Sequence, residues 1–318
     1  MRPLFADPKT DFVFKRIFGT EAHKPLLIAL LDDLLELDEP HRLASVELLS
    51  ADQRPRVPEL KYSIVDVKCV DAQGTVYVVE MQVLNVEGFE KRVVYNVAKA
   101  YTAQLGAGQA YPVLDDVVGV TICDFEMWPG AEVPMLSRWR MQEQHGAARG
   151  LSQIQFVFLE LPKLDASREP RTLVEKWAYF FREASSLSVI PPAVSAPPIV
   201  DAFDAARTAG FTEQEWDEYL RAGMAIQDER GALSLAARLG KAEGRREGEA
   251  EGRREGEALG RREGEALGRR EGLAMAVETA CELIGIDLAA DRRAELAGLD
   301  AAALALLLDR LRRDRRWG

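Results

Sequence analysis

Cysteine and histidine are scarce in this chain, and their scarcity excludes several kinds of site. Each occurs three times among 318 residues. Cys69, Cys123 and Cys281 lie far apart without C-x-x-C spacing, so they favour a reducing, cytoplasmic environment over a disulfide framework or a zinc site. The histidines have no serine or cysteine partner at a recognisable spacing, which argues against an imidazole-based catalytic triad.

Long apolar segments and a surplus of positive charge are also missing. No run of 18 or more apolar residues occurs, so no membrane span is expected. The formal net charge is −11, and residues 1–240 carry 25 basic against 35 acidic side chains. Such a body repels phosphate backbones at long range, so DNA binding is expected to be weak or assisted by a partner.

Two neighbouring apolar segments, each interrupted by one acid, are the most informative feature that is present. They read YSIVDVKC (residues 62–69) and TVYVVEMQ (residues 75–82). The glycine-containing turn at residues 72–74 predicts that they form an antiparallel hairpin. The hairpin is expected to place Asp66 and Glu80 side by side.

The chemistry of these acids follows from their apolar surroundings. Because side chains alternate across a strand, Asp66 is expected to share a face with Lys68, and Glu80 with Gln82. Carboxylates in an apolar strand are costly to bury unless they are compensated. A hard divalent cation such as Mg²⁺ would compensate them; two solvated acids on an ordinary amphipathic hairpin are the alternative.

An ordered series of short motifs extends this pattern. It consists of DFVFKRIFG at 11–19, DVKC at 66–69, VEMQ at 79–82, a helix carrying Arg92, Tyr95, Lys99, Tyr101 and Gln104, and a further strand at 118–125. The series resembles the recombination-promoting nucleases, which are PD-(D/E)xK family transposases. The resemblance covers roughly residues 5–240, and the glycine-rich tail is also typical of that family.

The resemblance implies a fold, a substrate and a cofactor. The fold is an α/β restriction-endonuclease-like mixed sheet flanked by helices, and the substrate is DNA. The positions that match Asp66 and Glu80 hold Mg²⁺ in the family, together with the backbone carbonyl beside the second acid, here that of Met81. Mn²⁺ or Ca²⁺ could take the place of Mg²⁺.

Three further residues are candidates at this site. The third position of the family motif is usually lysine, but here it is Gln82, which can orient a water molecule but cannot supply charge or accept a proton. Lys68 could supply the missing positive charge, or it could form an ion pair with Glu80. Asp11 is a candidate metal ligand; the alternative is an electrostatic role near a helix N-terminus.

The rest of the chain is predicted as a series of elements that ends in two appendages. Helices are predicted up to about residue 35 and at 87–105, 171–183 and 203–230. Further strands are predicted at 42–50, 116–123 and 153–159. A loop is predicted at 53–58 and a proline-rich linker at 191–198. The predicted divisions are a nuclease-like domain at 1–240, a charged repeat at 241–272 and a small helical cap at 273–318.

The repeat is the sequence GRREGEAL and its close copies, with a period of eight and a glycine at every fourth residue. Each glycine weakens a helix by about 1 kcal/mol relative to alanine. Each Arg–Glu pair four residues apart returns only about 0.2–0.5 kcal/mol. The repeat is therefore predicted to be either a marginal, exposed helix that self-associates through its glycines or a flexible spacer.

The predicted function is metal-dependent endonucleolytic hydrolysis of DNA, related to recombination or transposition. The alternative is a weakly active or inactive nuclease-fold protein that works through self-association or partner binding. Gln82 and the acidic body favour this alternative, whereas the presence of both Asp66 and Glu80 opposes it.

Overall fold

The computed structural model describes residues 2–53, 61–145 and 149–317. The chain forms two compact units, Met1–Ala232 and Leu233–Gly318. The first unit is a mixed α/β domain and the second is helical.

The first unit is built around a six-stranded mixed sheet. The strands of the chain are β1 (Val46–Leu49), β2 (Asp52–Gln53), β3 (Ser63–Ile64), β4 (Val67–Asp71), β5 (Val76–Gln82), β6 (Val117–Cys123), β7 (Leu136–Gln142) and β8 (Gly150–Glu160). The sheet has the order β1-β4-β5-β6-β8-β7, and β2 pairs with β3 in a separate short ribbon. The β4–β5 hairpin is antiparallel, whereas β5, β6 and β8 run parallel. This arrangement confirms the predicted hairpin and the restriction-endonuclease-like mixed sheet.

Helices cover both faces of the sheet. The helices of the chain are α1 (Asp11–Phe18), α2 (Lys24–Leu35), α3 (Phe89–Thr102), α4 (Leu173–Glu183), α5 (Pro197–Ala205), α6 (Glu213–Ile284), α7 (Ala290–Gly298) and α8 (Ala301–Asp314), and those on the sheet belong to the first unit. The larger core joins one sheet face to α1, α2, α4 and α5. It contains fully buried aromatic side chains such as Phe14, Phe18 and Trp177. These contacts hold α1 against the sheet and so determine where its polar residues lie.

Helix α3 packs closely on the opposite face of the sheet. Its Val97 and Ala100 share a buried cluster with Val78 of β5 and Val117 of β6. Gly119 of β6 lies directly under the helix, and a Cβ atom at this position would come within 2.6 Å of Val97 Cγ2. The absence of a side chain at Gly119 therefore lets α3 approach the sheet.

Several predicted elements differ from those observed. The predicted first helix is two helices, because α1 ends at Gly19 and a 3₁₀ turn, Glu21–His23, precedes α2. The proline-rich segment predicted as a linker contains a 3₁₀ turn, Pro192–Val194, and the first residues of α5. The predicted helix at 203–230 is interrupted between α5 and α6. Most of the loop predicted at 53–58 lies outside the described residues.

Strand β7 was not predicted, and β8 is longer than predicted. Both strands carry exposed side chains over much of their length, including Trp139 and Leu151. Their pairing changes register between Arg140 and Met141. Exposed strands lack the clear alternation between apolar and polar residues on which a sequence prediction depends.

The second unit contains most of α6 together with α7 and α8. A small core joins Val277 and Cys281 of α6 to Leu296 and to four leucines of α8. Arg270 of α6 donates to the carbonyl oxygens of Ala297 and Leu299 at the end of α7. The predicted helical cap is therefore present.

The charged repeat is helical along its whole length, because residues 241–272 lie within α6. Its side chains are almost all exposed. Arg245 pairs with Glu249 and Arg253 with Glu257, at N···O distances of 3.4 and 4.0 Å. In the structure the repeat is thus a solvent-exposed helix, one of the two forms predicted for it.

The structure bears on the membrane span and on the cysteines. In the part of the chain that the structure describes, no helix is long and apolar enough to cross a membrane. The three cysteines are free and buried.

The close approach of α3 to β6 provides a test of this packing. Gly119→Ala is expected to destabilise the first unit by about 1–3 kcal/mol, because the new methyl group overlaps Val97. Adding Val97→Ala should recover part of that loss, since it removes the overlapping group. A double-mutant cycle from urea denaturation measures this coupling; additive effects of the two changes would contradict the predicted overlap.

Candidate active site

Asp66 and Glu80 lie at the end of the β4–β5 hairpin that is opposite its turn, Asp66 just before β4 and Glu80 within β5. Asp66 directly precedes β4, whose first residue, Val67, pairs with Val79 of β5. An Oδ atom of Asp66 accepts a hydrogen bond from the Met81 N–H at 2.8 Å. The two carboxylates are therefore neighbours across the hairpin, as its predicted register requires.

The predicted strand at 62–69 is interrupted at this point. β3 ends at Ile64 and β4 begins at Val67. Val65 packs on the α3 side of the sheet, whereas Val67 packs into the larger core on the other side. The regular alternation on which a common face for Asp66 and Lys68 rested is therefore absent at Asp66.

A cleft of about 700 Å³ opens at these acids. It is formed by the segment 61–64, the end of β5, the first half of α3 and one residue of α1. Its lining includes the predicted site residues Asp11, Asp66, Glu80, Met81 and Gln82. The structure thus brings five of the six candidate residues to one cavity.

The Asp66 carboxyl group is held in surroundings that disfavour its charge. Burial raises its pKa to about 7; the hydrogen bond from Met81 opposes this shift, and the negative charges of Asp11 and Glu80 add to it. Lys15 of α1 lies 3.8 Å from Asp66 Oδ1 and lowers the pKa only weakly. The same lysine lies 2.6 Å from Asp11, so its charge is shared between two carboxylates.

Glu80 is buried and held by α3. Its Oε1 atom accepts a hydrogen bond from Asn96 Nδ2 at 2.8 Å. Burial raises the pKa of Glu80, while Asn96 and the more distant charge of Arg92 lower it. The Asn96 Oδ1 atom is buried and has no hydrogen-bond partner among the residues that the structure describes. α3 therefore orients the second acid by a direct contact.

Gln82 is also engaged at both ends of its amide. Its Nε2 atom donates to the Leu84 carbonyl oxygen at 2.8 Å. Its Oε1 atom accepts a short hydrogen bond from Arg92 of α3. The Arg92 guanidinium lies 5.1 Å from the centre of the Phe89 ring, in a cation–π arrangement. A cation from α3 thus contacts the position at which the motif usually carries a lysine.

The wall of the cleft at 61–64 is held by two further residues of α3. Lys99 Nζ donates to the carbonyl oxygens of Gln53 and Lys61, and to Ser63 Oγ at 3.2 Å. The Tyr95 hydroxyl donates to the Lys61 carbonyl oxygen at 3.2 Å. Lys99 is therefore occupied by the protein backbone, and its role is to hold this wall.

The family model for PD-(D/E)XK nuclease family transposases matches residues 8–236. The chain belongs to this family. No curated protein and no solved structure shows significant similarity to it. The matched segment contains the whole cleft, which assigns the cleft to the nuclease-like part of this transposase family member.

The remaining candidate, Lys68, lies apart from the cleft of this family member. It lies in β4, the second strand of the sheet, between Val78 of β5 and Leu49 of β1, and is half-buried. Burial lowers its pKa. Among the described residues, neither the lining of the cleft nor the ion pairs include Lys68, so no ion pair with Glu80 is observed there. The cation that approaches Asp66 is Lys15.

Lys15, Asn96 and the contact of Arg92 with Gln82 were not predicted. Asn96 had a sequence signal, because it is the polar residue within the apolar stripe of α3 that also contains Val93 and Val97. No sequence signal marked Lys15, because its approach to Asp66 depends on how α1 packs against the sheet.

The donor groups suit a hard divalent cation. Asp66, Glu80 and the Met81 carbonyl offer oxygen atoms, which Mg²⁺ prefers, and burial raises the pKa values of both carboxyl groups. No group of three or more His, Cys, Asp and Glu side chains that could hold a metal occurs within residues 2–53, 61–145 and 149–317. A divalent cation therefore fits two carboxylates and one backbone carbonyl here, while Asp11 forms an ion pair with Lys15.

The raised pKa of Asp66 predicts how the metal-free protein responds to pH. The folded state keeps a proton that the unfolded state, with its pKa near 3.8, has already released. Stability is therefore lost as the pH rises from about 4 through about 7, by up to about 4 kcal/mol from this group. Asp66→Asn should remove this loss, because it carries no charge and can still accept the Met81 hydrogen bond.

Urea denaturation in EDTA at about pH 5 and about pH 8 measures the effect. The stability of Asp66→Asn should exceed that of the wild type at the higher pH and approach it at the lower one. Equal pH dependence of the two proteins would show that Asp66 has an ordinary pKa.

Proposed function

We propose that this protein is a divalent-metal-dependent endonuclease that hydrolyses phosphodiester bonds in DNA during recombination or transposition. The observation that carries the proposal is the convergence of two buried acids, Asp66 and Glu80, on one open cleft. Buried like charges with raised pKa values are typical of functional sites. Membership of the nuclease-like transposase family supports the same activity.

The proposed roles follow from the contacts of each residue. Asp66, Glu80 and the Met81 carbonyl would hold Mg²⁺, with Mn²⁺ or Ca²⁺ as possible substitutes and Asp11 as an outer acid. When bound, the metal would supply positive charge at the scissile phosphate and make a nearby water more acidic. Asn96 orients Glu80, and the Met81 N–H orients Asp66.

The reaction itself is a hydrolysis. The oxygen of a water molecule forms a bond to phosphorus and the bond to the 3′ oxygen breaks, which leaves a 5′-phosphate and a 3′-hydroxyl. The proton of the water passes to solvent, and the 3′ oxygen gains a proton from solvent. The Gln82 Oε1 atom accepts from Arg92 and has a second lone pair with which it could orient the attacking water.

The distribution of charge in the cleft supports a nucleic-acid substrate in spite of the acidic body. Lys61, Lys91 and Arg92 line the same cleft as the carboxylates of Asp66 and Glu80. A phosphate bound there would meet these cations as well as a metal held by the two acids. The net negative charge of the body still predicts weak attraction of DNA at long range and a low affinity for DNA without metal.

A cytoplasmic location, where DNA is accessible, is part of the proposal.

The first test concerns the two proposed ligands. Asp66→Asn and Glu80→Gln should each reduce nicking of supercoiled plasmid in Mg²⁺ by at least about 100-fold, because each removes a charged ligand. Both substitutions keep an oxygen that can accept the present hydrogen bond, so the fold should persist. Isothermal titration with Mg²⁺ and Mn²⁺ should show weakened binding in both variants.

Glu47→Gln is a matched control, because Glu47 is an exposed acid of β1, away from the lining of the cleft. It should leave both nicking and metal binding unchanged. Undiminished nicking by Asp66→Asn and Glu80→Gln would rule out a nuclease centre at this cleft, and activity in EDTA would rule out the metal.

Self-association through the repeat is a second candidate function. Leu259, Leu267 and Met275 are large apolar side chains exposed along α6 at intervals of eight residues, which favours contact with another surface. Residues four apart on an α-helix are offset by about 40° and residues eight apart by about 80°, so the glycines and these apolar side chains both follow spirals around α6. The proposed partner of α6 is the same helix in another copy of the chain.

Truncation after Leu239 tests assembly. The full chain should form an oligomer, and the truncated chain should have fewer subunits while it keeps its cleavage rate per cleft, because the first unit has its own core. Size-exclusion chromatography with light scattering measures the subunit number. A full chain that stays monomeric at tens of micromolar would contradict the assembly proposal.

A further inference from the structure

The third position of the motif lacks its usual cation, and Arg92 brings one to the same place. Gln82 cannot carry charge. Its amide nitrogen is used by the Leu84 carbonyl, and its amide oxygen accepts from the Arg92 guanidinium. The side chain of Gln82 therefore bridges β5 to a charge that originates on α3.

The position of Arg92 on α3 is unfavourable unless an anion lies nearby. Arg92 belongs to the first turn of Phe89–Thr102, where the helix dipole repels positive charge. Gly88, at the N-terminus of this helix, also lines the cleft. An anion in the cleft would meet both the guanidinium and the positive end of the dipole. Glu80 provides part of this negative charge, but the pair does not form a direct ion pair in the described part of the chain.

The other cations around the cleft are engaged elsewhere or lie too far away to replace the motif lysine. Lys15 is paired with Asp11, and Lys99 is bound to backbone carbonyl oxygens. Lys68 lies in β4, opposite Val78 of β5. Lys61 and Lys91 also line the cleft, but among the residues described Arg92 is the cation that hydrogen-bonds to Gln82, the third position of the motif.

We propose that Arg92 binds the scissile phosphate and supplies from α3 the positive charge that lysine supplies in the usual motif, with Gln82 as its positioning residue. This inference rests on the proposed nuclease function. A guanidinium presents paired N–H donors that match two phosphate oxygens. It stays protonated, so Arg92 stabilises negative charge on the phosphate and takes no proton from water.

Arg92 is held in place by two contacts within the protein. The Phe89 ring and Gln82 hold the guanidinium before substrate arrives. A group oriented in advance stabilises developing charge without a cost of reorganisation at the moment of reaction. Gln82 can accept from Arg92 without neutralising it, whereas an acid at position 82 would cancel its charge.

The experiment uses the full-length protein with Arg92→Gln, Arg92→Lys and the exchange variant Gln82→Lys/Arg92→Gln. Single-turnover nicking in Mg²⁺ at saturating protein gives the rate of the chemical step. Arg92→Gln should lower this rate by about 100-fold or more, and Arg92→Lys should retain an intermediate rate. The exchange variant should recover at least about tenfold over Arg92→Gln, since it returns a cation to the motif.

A second readout separates phosphate binding from a structural role. Binding of a fluorescent DNA duplex in Ca²⁺, followed against salt concentration, reports the number of phosphate contacts. Arg92→Gln should reduce the slope of log affinity against log salt by about 1. Arg140→Gln is the matched control, because Arg140 is an exposed arginine of β7 outside the cleft lining; it should change neither rate nor slope.

The outcomes distinguish this inference from the proposed function. If the wild type nicks DNA, the Asp66 and Glu80 variants do not, and Arg92→Gln does, then the nuclease function holds and the role of Arg92 is overturned. If the wild type does not nick DNA at all, the salt slope decides: an unchanged slope in Arg92→Gln overturns the inference. Loss of rate with an unchanged slope and a lowered melting temperature would assign Arg92 to structure alone.

Discussion

The burial of two neighbouring carboxylates is the constraint on which the site depends. Asp66 and Glu80 are neighbours across the hairpin, and Asp11 adds a third negative charge near Asp66. Burial weakens solvent screening, so each charge raises the free energy of the others. Burial keeps both pKa values raised, although the Met81 N–H and Lys15 act against it at Asp66, and the Asn96 amide and Arg92 act against it at Glu80. A site with this residual negative charge is prepared for a cation.

Helix α3 carries most of what turns two acids into a site. It contributes Asn96 to Glu80, Arg92 to Gln82, and Tyr95 and Lys99 to the wall at 61–64. These contacts are possible because the helix approaches the sheet closely over Gly119. The close packing of α3 over Gly119 of β6 therefore determines the geometry of the polar groups that α3 brings to the cleft.

The two units of the chain are stabilised by different means. The first unit has a large aromatic and aliphatic core between sheet and helices. The second has only a small cluster near the ends of α6 and α8, and the repeat that precedes it exposes nearly all its side chains. Glycine lowers the helix propensity of the repeat, and its Arg–Glu pairs are exposed and so contribute little. The helix of the repeat therefore depends on cooperativity with the turns at its two ends.

The sequence by itself determined the hairpin, the two acids and the order of most elements, because alternation and turn residues are local signals. It also determined that the motif lacks its lysine at position 82. Only the tertiary structure decided which cations lie against the motif residues, since Arg92 contacts Gln82 and Lys15 lies near Asp66 through the packing of α3 and α1 on opposite faces of the sheet. The break in alternation at Asp66, which removes Lys68 from the site, likewise depends on long-range contacts: Val65 packs toward α3 and Val67 toward α1, and no local pattern encodes which helix lies on which face.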